Sequence, residues 1–181
     1  MTPDMYNFEK IPLVRSLSEN IQNIERILGK SSDLLMNPFK IGDIKCSLLC
    51  FEGMVSTQTI TNLILVPLTE LGEQGKKSPE KLFEHIRDNM LLTIDRGTPT
   101  EYGDLILRLM SGFAILLIDG MDTAFAFGVQ GYETKGIDEP SSEGNIRGSH
   151  EGFVETVRTS MSLVRRRIKS PLLRFELFSV T

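Results

Sequence analysis

The stretch FAILLIDGMDTAFAFGV, Phe113 to Val129, is two apolar runs separated by Asp119 and Gly120, with Asp122 just beyond. Short apolar runs bounded by turn residues read as strands, and Asp-Gly is favoured where a hairpin backbone must take positive φ. The stretch is therefore expected to be a β-hairpin, which commits this half of the chain to a sheet. Asp119, Gly120 and Asp122 are its turn. Their two carboxylates also make them candidates for a cleft at the hairpin end, although turn chemistry alone accounts for them.

Working outward, TEYGDLILRLMSG reads as a short helix stopped at Gly112, preceded by turn residues in LLTIDRGTPTEYG. Upstream of these, Ser16 to Leu28 places Leu17, Ile21, Ile24 and Leu28 on one helical face, with Gly29 as the stop. IKCSLLCFEGMV is an apolar strand broken at Gly53, and STQTITNLILVPLTEL is a helix in which Pro67 should kink or end the regular turn. SPEKLFEHIRDNML is a further helix, with Ser78 as N-cap and Pro79 at its first position. Downstream, Phe153, Val157, Met161, Val164 and Ile168 recur at spacings of three and four, which predicts a helix from Glu151 to Ile168 buried along that face. LLRFELFSV, after Pro171, reads as a closing strand.

The expected architecture is α/β: two small α/β subdomains, each a short mixed sheet packed with helices. Residues 1–92 form the first, with 1–15 flexible, 93–100 are the linker, and 101–181 form the second, incomplete at its C-terminal end. The echo between LLCFEGM and LLIDGM hints at related halves.

Composition bounds the function. The 181 residues are 40% hydrophobic and 24% charged, as in an ordinary globular protein. A formal charge of −4 and a pI near 5.3 argue against a nucleic-acid partner, since neutralising phosphates takes a basic surplus. No apolar run is long enough to span a membrane, and MTPDMYNFEK lacks the order of a secretory signal. Cys46 and Cys50 share one face of the expected strand, too far apart along it for a disulfide, and read as buried free thiols. Zinc would need two more ligands, which His85 and His150 are not spaced to supply, so neither metal nor cofactor is expected. GKS at Gly29 and GKK at Gly75 lack the upstream glycine and preceding strand of a phosphate loop. With no nucleophile motif either, the chain reads as non-enzymatic.

What remains is EPSSEGNIRGSHEGFVETVRTSMSLVRRRIK, Glu139 to Lys169. Glu143, Arg147 and Glu151 alternate in sign around a loop entering the helix, an arrangement suited either to gripping a zwitterion or to latching the loop to its own helix. Gly148 permits the backbone turn, and Ser149 is placed to cap. Arg165, Arg166 and Arg167 complement the helix dipole at its C-terminal end. At 100° per residue they fan around the helix, so at least one must turn inward and find a carboxylate or carbonyl.

These residues carry a resemblance. SGFAILLIDG, then EPSSEGNIRGSHEGFVETVRTSMSLVRRRIKSPLL, resembles the GerA family of spore germination proteins, the A subunits of nutrient germinant receptors, and LLCFEGMVSTQTITNLILVPL is similar to that family's first strand and helix. Arg147, Gly148, Glu151, Gly152 and Phe153 match the family pattern, whereas Ser149 and His150 stand where it has Pro and Arg. The resemblance implies a soluble N-terminal domain on the cytoplasmic side of the spore inner membrane. Its implied partners are the receptor B and C subunits, further copies of the A subunit, and a small-molecule germinant. The implied role is relaying the germinant signal and assembling the receptor, with direct germinant binding between the subdomains as the alternative.

Overall fold

The structure is a computed structural model that describes residues 3–4, 6–73, 78–89, 95–131 and 157–178. Helix α1 (Leu17–Leu28) starts where the Ser16 hydroxyl accepts the Glu19 N–H and stops at Gly29, whose φ of 67° would cost an L-residue about 1–2 kcal/mol. Strands β1 (Leu34–Ile41) and β2 (Ile44–Phe51) follow as a hairpin. Then come α2 (Thr57–Ile60), a π-helical turn over Thr61–Leu65, α3 (Val66–Glu73) and α4 (Pro79–Asn89). Strand β3 (Arg96–Gly97), helix α5 (Tyr102–Met110), strands β4 (Ala114–Ile118) and β5 (Phe125–Phe127), and helix α6 (Val157–Arg167) complete the order.

The α/β class is as expected, with a difference in how the strands are shared. All five described strands lie in one sheet, in the order β1-β2-β4-β5-β3, and every pairing is antiparallel. Short separate mixed sheets were expected on either side of residues 93–100, yet Arg96 and Gly97 within that span pair with β5, and β2 pairs with β4 across it. The reason is burial. Cys46 to Phe51 and the whole of β4 and β5 are covered, and continuous apolar strands of this kind occupy the middle of a sheet with both faces packed.

Register and alternation put Lys45, Ser47, Leu49 and Phe51 on one face of β2 and Cys46, Leu48 and Cys50 on the other. Helix α1 lies on the first face, where Leu17 and Ile21 share a groove with Lys45 and Ser47. Helix α4 lies on the second: Phe83 stacks on Phe125 with centroids 4.3 Å apart, and Phe125 stands opposite Leu116, itself opposite Leu48. A buried polar bridge holds α1 to α5. The Tyr102 hydroxyl donates to Asn20 Oδ1 at 2.7 Å and accepts from Asn23 Nδ2 at 2.8 Å.

Four local expectations are corrected. Residues 34–41 form a strand that the sequence reading missed, because Asn37 and Pro38 interrupt its pattern; as an edge strand, β1 tolerates a residue without an N–H. The helix after Ser56 gives up its regular turn ahead of Pro67 rather than at it, in the π-helical turn Thr61–Leu65. The N-terminal segment, expected to be flexible, is tied to the start of α5: Leu13 N–H donates to Thr100 O at 2.8 Å, and Tyr102 N–H to Ile11 O at 3.0 Å. Finally, residues 172–178 form no strand. Their backbone leans instead on residues 31–32, with Ser32 N–H donating to Phe175 O at 2.9 Å.

Both cysteines are free, buried and on one face of β2. Burial, helped by the negative charge of Asp119, pushes the Cys46 thiol up to about 12, and burial with Glu52 pushes Cys50 up to about 11. A thiol reagent at pH 8 is expected to label the native chain slowly and the unfolded chain completely; equal rates would refute the assignment. The folded state holds these protons to higher pH than the unfolded state does. Their contribution to stability is thus full below about pH 8.5 and is lost as the pH climbs from there through 11 and 12, read as a falling Tm.

Candidate functional site

The three arginines at the end of α6 point three ways. Arg165 is wholly buried, Arg166 is half-buried and Arg167 is exposed. Arg165 meets Asp33 in a fork, Nε to Oδ2 at 2.9 Å and Nη2 to Oδ1 at 3.0 Å. Its Nη2 also donates to Ser31 Oγ at 3.2 Å, and its Nη1 to the carbonyls of Leu173 at 2.9 Å and Ser170 at 3.4 Å. Five bonds match the five N–H groups of a guanidinium, so the buried cation is fully satisfied. The planar group also lies against two rings, with Cζ 4.3 Å from the Phe51 centroid and 5.2 Å from that of Phe175.

Ser31 completes the knot. Its hydroxyl donates to Asp33 Oδ1 at 2.6 Å and accepts the Phe175 N–H at 2.9 Å. One buried cluster therefore fastens three segments: the turn before β1, the last turn of α6, and the chain from Ser170 to Phe175. This is the inward arginine that the fan of three requires, and its partner lies 132 residues away in the sequence.

Helix α6 is seated by a second set of contacts above Gly53. Arg166 Nη2 donates to Gly53 O at 3.2 Å, and Arg158 forms an ion pair with Glu52. Gly53 has φ of 71°, and a Cβ placed there would stand 2.6 Å from Ser162 Cβ, so the helix rests directly on glycine backbone. Beside this seat opens a polar groove of about 470 Å³ lined by Glu52, Ser56, Thr57, Arg158, Ser162 and Arg166.

The inward face of α6 is thus Met161, Ser162 and Arg165, not the apolar stripe expected from spacing. Met161 is buried as expected, while Val157, Val164 and Ile168 are exposed, 64% in the case of Val157. The face is set by the contacts waiting for it: Arg165 must turn inward to pair the buried Asp33, which would otherwise be left as a stranded carboxylate, and Ser162 rests on Gly53. Glu143, Arg147, Gly148 and Glu151, with Phe153, lie outside the described residues.

Asp119, Gly120 and Asp122 follow β4 directly. Asp119 Oδ1 accepts the Leu17 N–H at 3.0 Å at the start of α1, and Gly120, with φ of 92°, donates its N–H to Arg15 O at 2.8 Å. Asp122 is exposed and separate from Asp119's contacts. Asp119 instead shares a groove of about 510 Å³ with Lys45, Ser47 and the apolar side chains of α1 and β1. Asp33, Ser31 and Ser47 were missed by sequence reasoning; the only signal for Asp33 was that an inward arginine needs a carboxylate somewhere.

The profile of the Bacillus/Clostridium GerA spore germination protein family matches residues 22–181. Spore germination protein KA of Bacillus subtilis (strain 168) is 30% identical over 166 residues, which cover 89% of this chain and 30% of that protein. Spore germination protein B1 of the same organism is 30% identical, over 86% of this chain and 32% of its own length. The chain spans about a third of the length of these curated relatives. A crystal structure of the N-terminal domain of the A subunit of the Bacillus megaterium spore germinant receptor GerK3 superposes with a TM-score of 0.67 at 26% identity, over 88% of this chain and 57% of that one. This protein is a member of the Bacillus/Clostridium GerA spore germination protein family.

Proposed function

We propose that the chain is the soluble N-terminal domain of a nutrient germinant receptor A subunit, facing the spore core at the inner membrane. There it relays germinant occupancy and helps assemble the receptor with the B and C subunits and with other A subunits. It does so without catalysing a reaction. Family membership and the likeness to the N-terminal domain of an A subunit support this reading. Among the described residues, no helix is long and apolar enough to cross a membrane.

The observation that carries the relay is the Arg165 knot. Because Arg165 holds Asp33 and the carbonyls of Ser170 and Leu173 together, a displacement of the sheet edge is handed directly to the segment following α6. Tightly packed interiors shift between discrete arrangements rather than deform smoothly, so such a knot passes a shift on undiminished. The test locks it. Cysteines at the exposed Ser32 and Glu176, beside the Ser32–Phe175 hydrogen bond, are expected to block nutrient-triggered germination when oxidised to a disulfide and to restore it on reduction. Equal loss of optical density in oxidised and reduced spores would refute the relay.

A second reading, direct binding of a small-molecule germinant between the two halves of the chain, is favoured by the groove against α1. There Lys45 of the first half and Asp119 of the second stand side by side.

A further inference from the structure

We propose that the outer face of residues 57–70, the helical span from α2 through the π-helical turn into α3, is where two copies of this chain meet, antiparallel across a two-fold axis between Leu63 and Val66. The proposal rests on the assembly reading above and gives self-association its surface. Charge carries the argument. No charged residue lies between Glu52 and Glu70, the longest such interval in a chain of formal charge −4. Much of its helical part nonetheless faces solvent: Gln58, Thr61, Asn62, Leu63, Val66 and Thr69 are all exposed. An exposed helix face ordinarily carries charge, and depletion of charge marks the centre of protein–protein contacts.

The face has the make-up of such a contact. Ile60, Ile64, Leu68 and Leu71 are buried and turn one side of the helix to the core. Gln58, Asn62, Val66 and Thr69, at spacings of four, four and three, form the opposite ridge. Leu63, 39% exposed, and Val66, 46% exposed, put an apolar centre among neutral polar neighbours.

The charges of the chain decide what covers it. Copies of an acidic chain repel, and in an isologous contact each residue near the axis meets its own counterpart, so a charged centre repels itself. The outer side of α6 fails on that count, since the exposed Arg167 and Lys169 flank the exposed Ile168. The neutral face of residues 57–69 passes, and a strongly charged partner would gain nothing from it. Glu70, the exposed charge at its end, fixes the direction. Parallel helices would bring the two Glu70 carboxylates together, whereas antiparallel ones hold them at opposite ends of the contact.

Sedimentation velocity on the 181-residue chain reads the association. One helix face about 20 Å long makes a small interface, so a dissociation constant of about 10–100 µM is expected. Added NaCl should leave the dimer unchanged or tighten it, because salt screens only the repulsion between acidic copies. Val66→Lys sets two cations against each other near the axis and is expected to weaken the dimer about ten-fold or more, with Tm unchanged because the side chain lies outside the core. Val66→Cys should give a disulfide-linked dimer on mild oxidation and Leu107→Cys, equally exposed on α5, should not; the native thiols are buried and do not compete. A monomer at every concentration, a dimer that salt weakens, or equal cross-linking at Leu107 overturns the proposal. A dimer indifferent to Val66→Lys overturns this face and leaves self-assembly to another. A monomer whose Val66→Lys spores lose germination overturns it too, and assigns the face to a different receptor subunit. The relay is tested separately by the Ser32–Glu176 lock, so either reading can fail alone.

Discussion

Arg165→Met is expected to cost the folded chain about 3–5 kcal/mol, the range seen when one partner of a buried ion pair is removed. Methionine fills much of the volume and keeps contact with the Phe51 and Phe175 rings, so the loss is chiefly electrostatic. The side chain of Asp33, 2% exposed, would keep only the Ser31 hydroxyl, and the carbonyls of Ser170 and Leu173 would lose their donor. Urea denaturation measures the effect, and the double variant Asp33→Leu with Arg165→Met shows its origin. If most of the penalty is a stranded carboxylate, removing that carboxylate recovers a large part of it, because an apolar pair of similar volume often replaces a buried ion pair without loss. A loss below about 1 kcal/mol for Arg165→Met alone would place Arg165 among surface cations and dissolve the knot.

How much of this was readable in the sequence follows from the range of each interaction. Features set within one turn of chain were legible: the Ser16 cap and Gly29 stop of α1, the Ser78 cap and Pro79 start of α4, and Gly112 after α5. The hairpin strands β4 and β5 were legible for the same reason, since Asp119 and Gly120 lie between two apolar runs. Features set by distant partners were not. Nothing local says that β2 pairs with β4, which alone turns two expected sheets into one. Spacing anticipated one inward arginine but not which, nor that α6 buries Ser162 while exposing Val157 and Val164, because that choice is made by Asp33 and Gly53. The arginine run showed that an inward cation needed an anion, and the fold supplied which one.

Gly53→Ala is the sharper probe of that seat. Two costs add: an alanine at φ of 71° pays about 1–2 kcal/mol of left-handed strain, and its Cβ, 2.6 Å from Ser162 Cβ and 3.1 Å from Ser162 Oγ, overpacks a tight contact for about 1–3 kcal/mol more. A total of about 2–5 kcal/mol is expected. The strain belongs to the β2 end and the clash to α6, so they separate experimentally. Adding Ser162→Gly removes the atoms that the new methyl group would strike and is expected to return the overpacking part while leaving the strain, less about 1 kcal/mol for a glycine inside a helix. Amide hydrogen exchange gives the independent sign: Gly53→Ala should speed exchange in α6 far more than in β2, because the helix is the element that can yield. Uniform acceleration of both would mean that α6 and the sheet open as one unit. Selective opening of α6 would identify Gly53 and Arg165 as fastenings of the helix, one backbone and one ionic, that act beside the direct contacts of Ser31 and Ser32 with Phe175 in joining the first hairpin to the chain beyond residue 170.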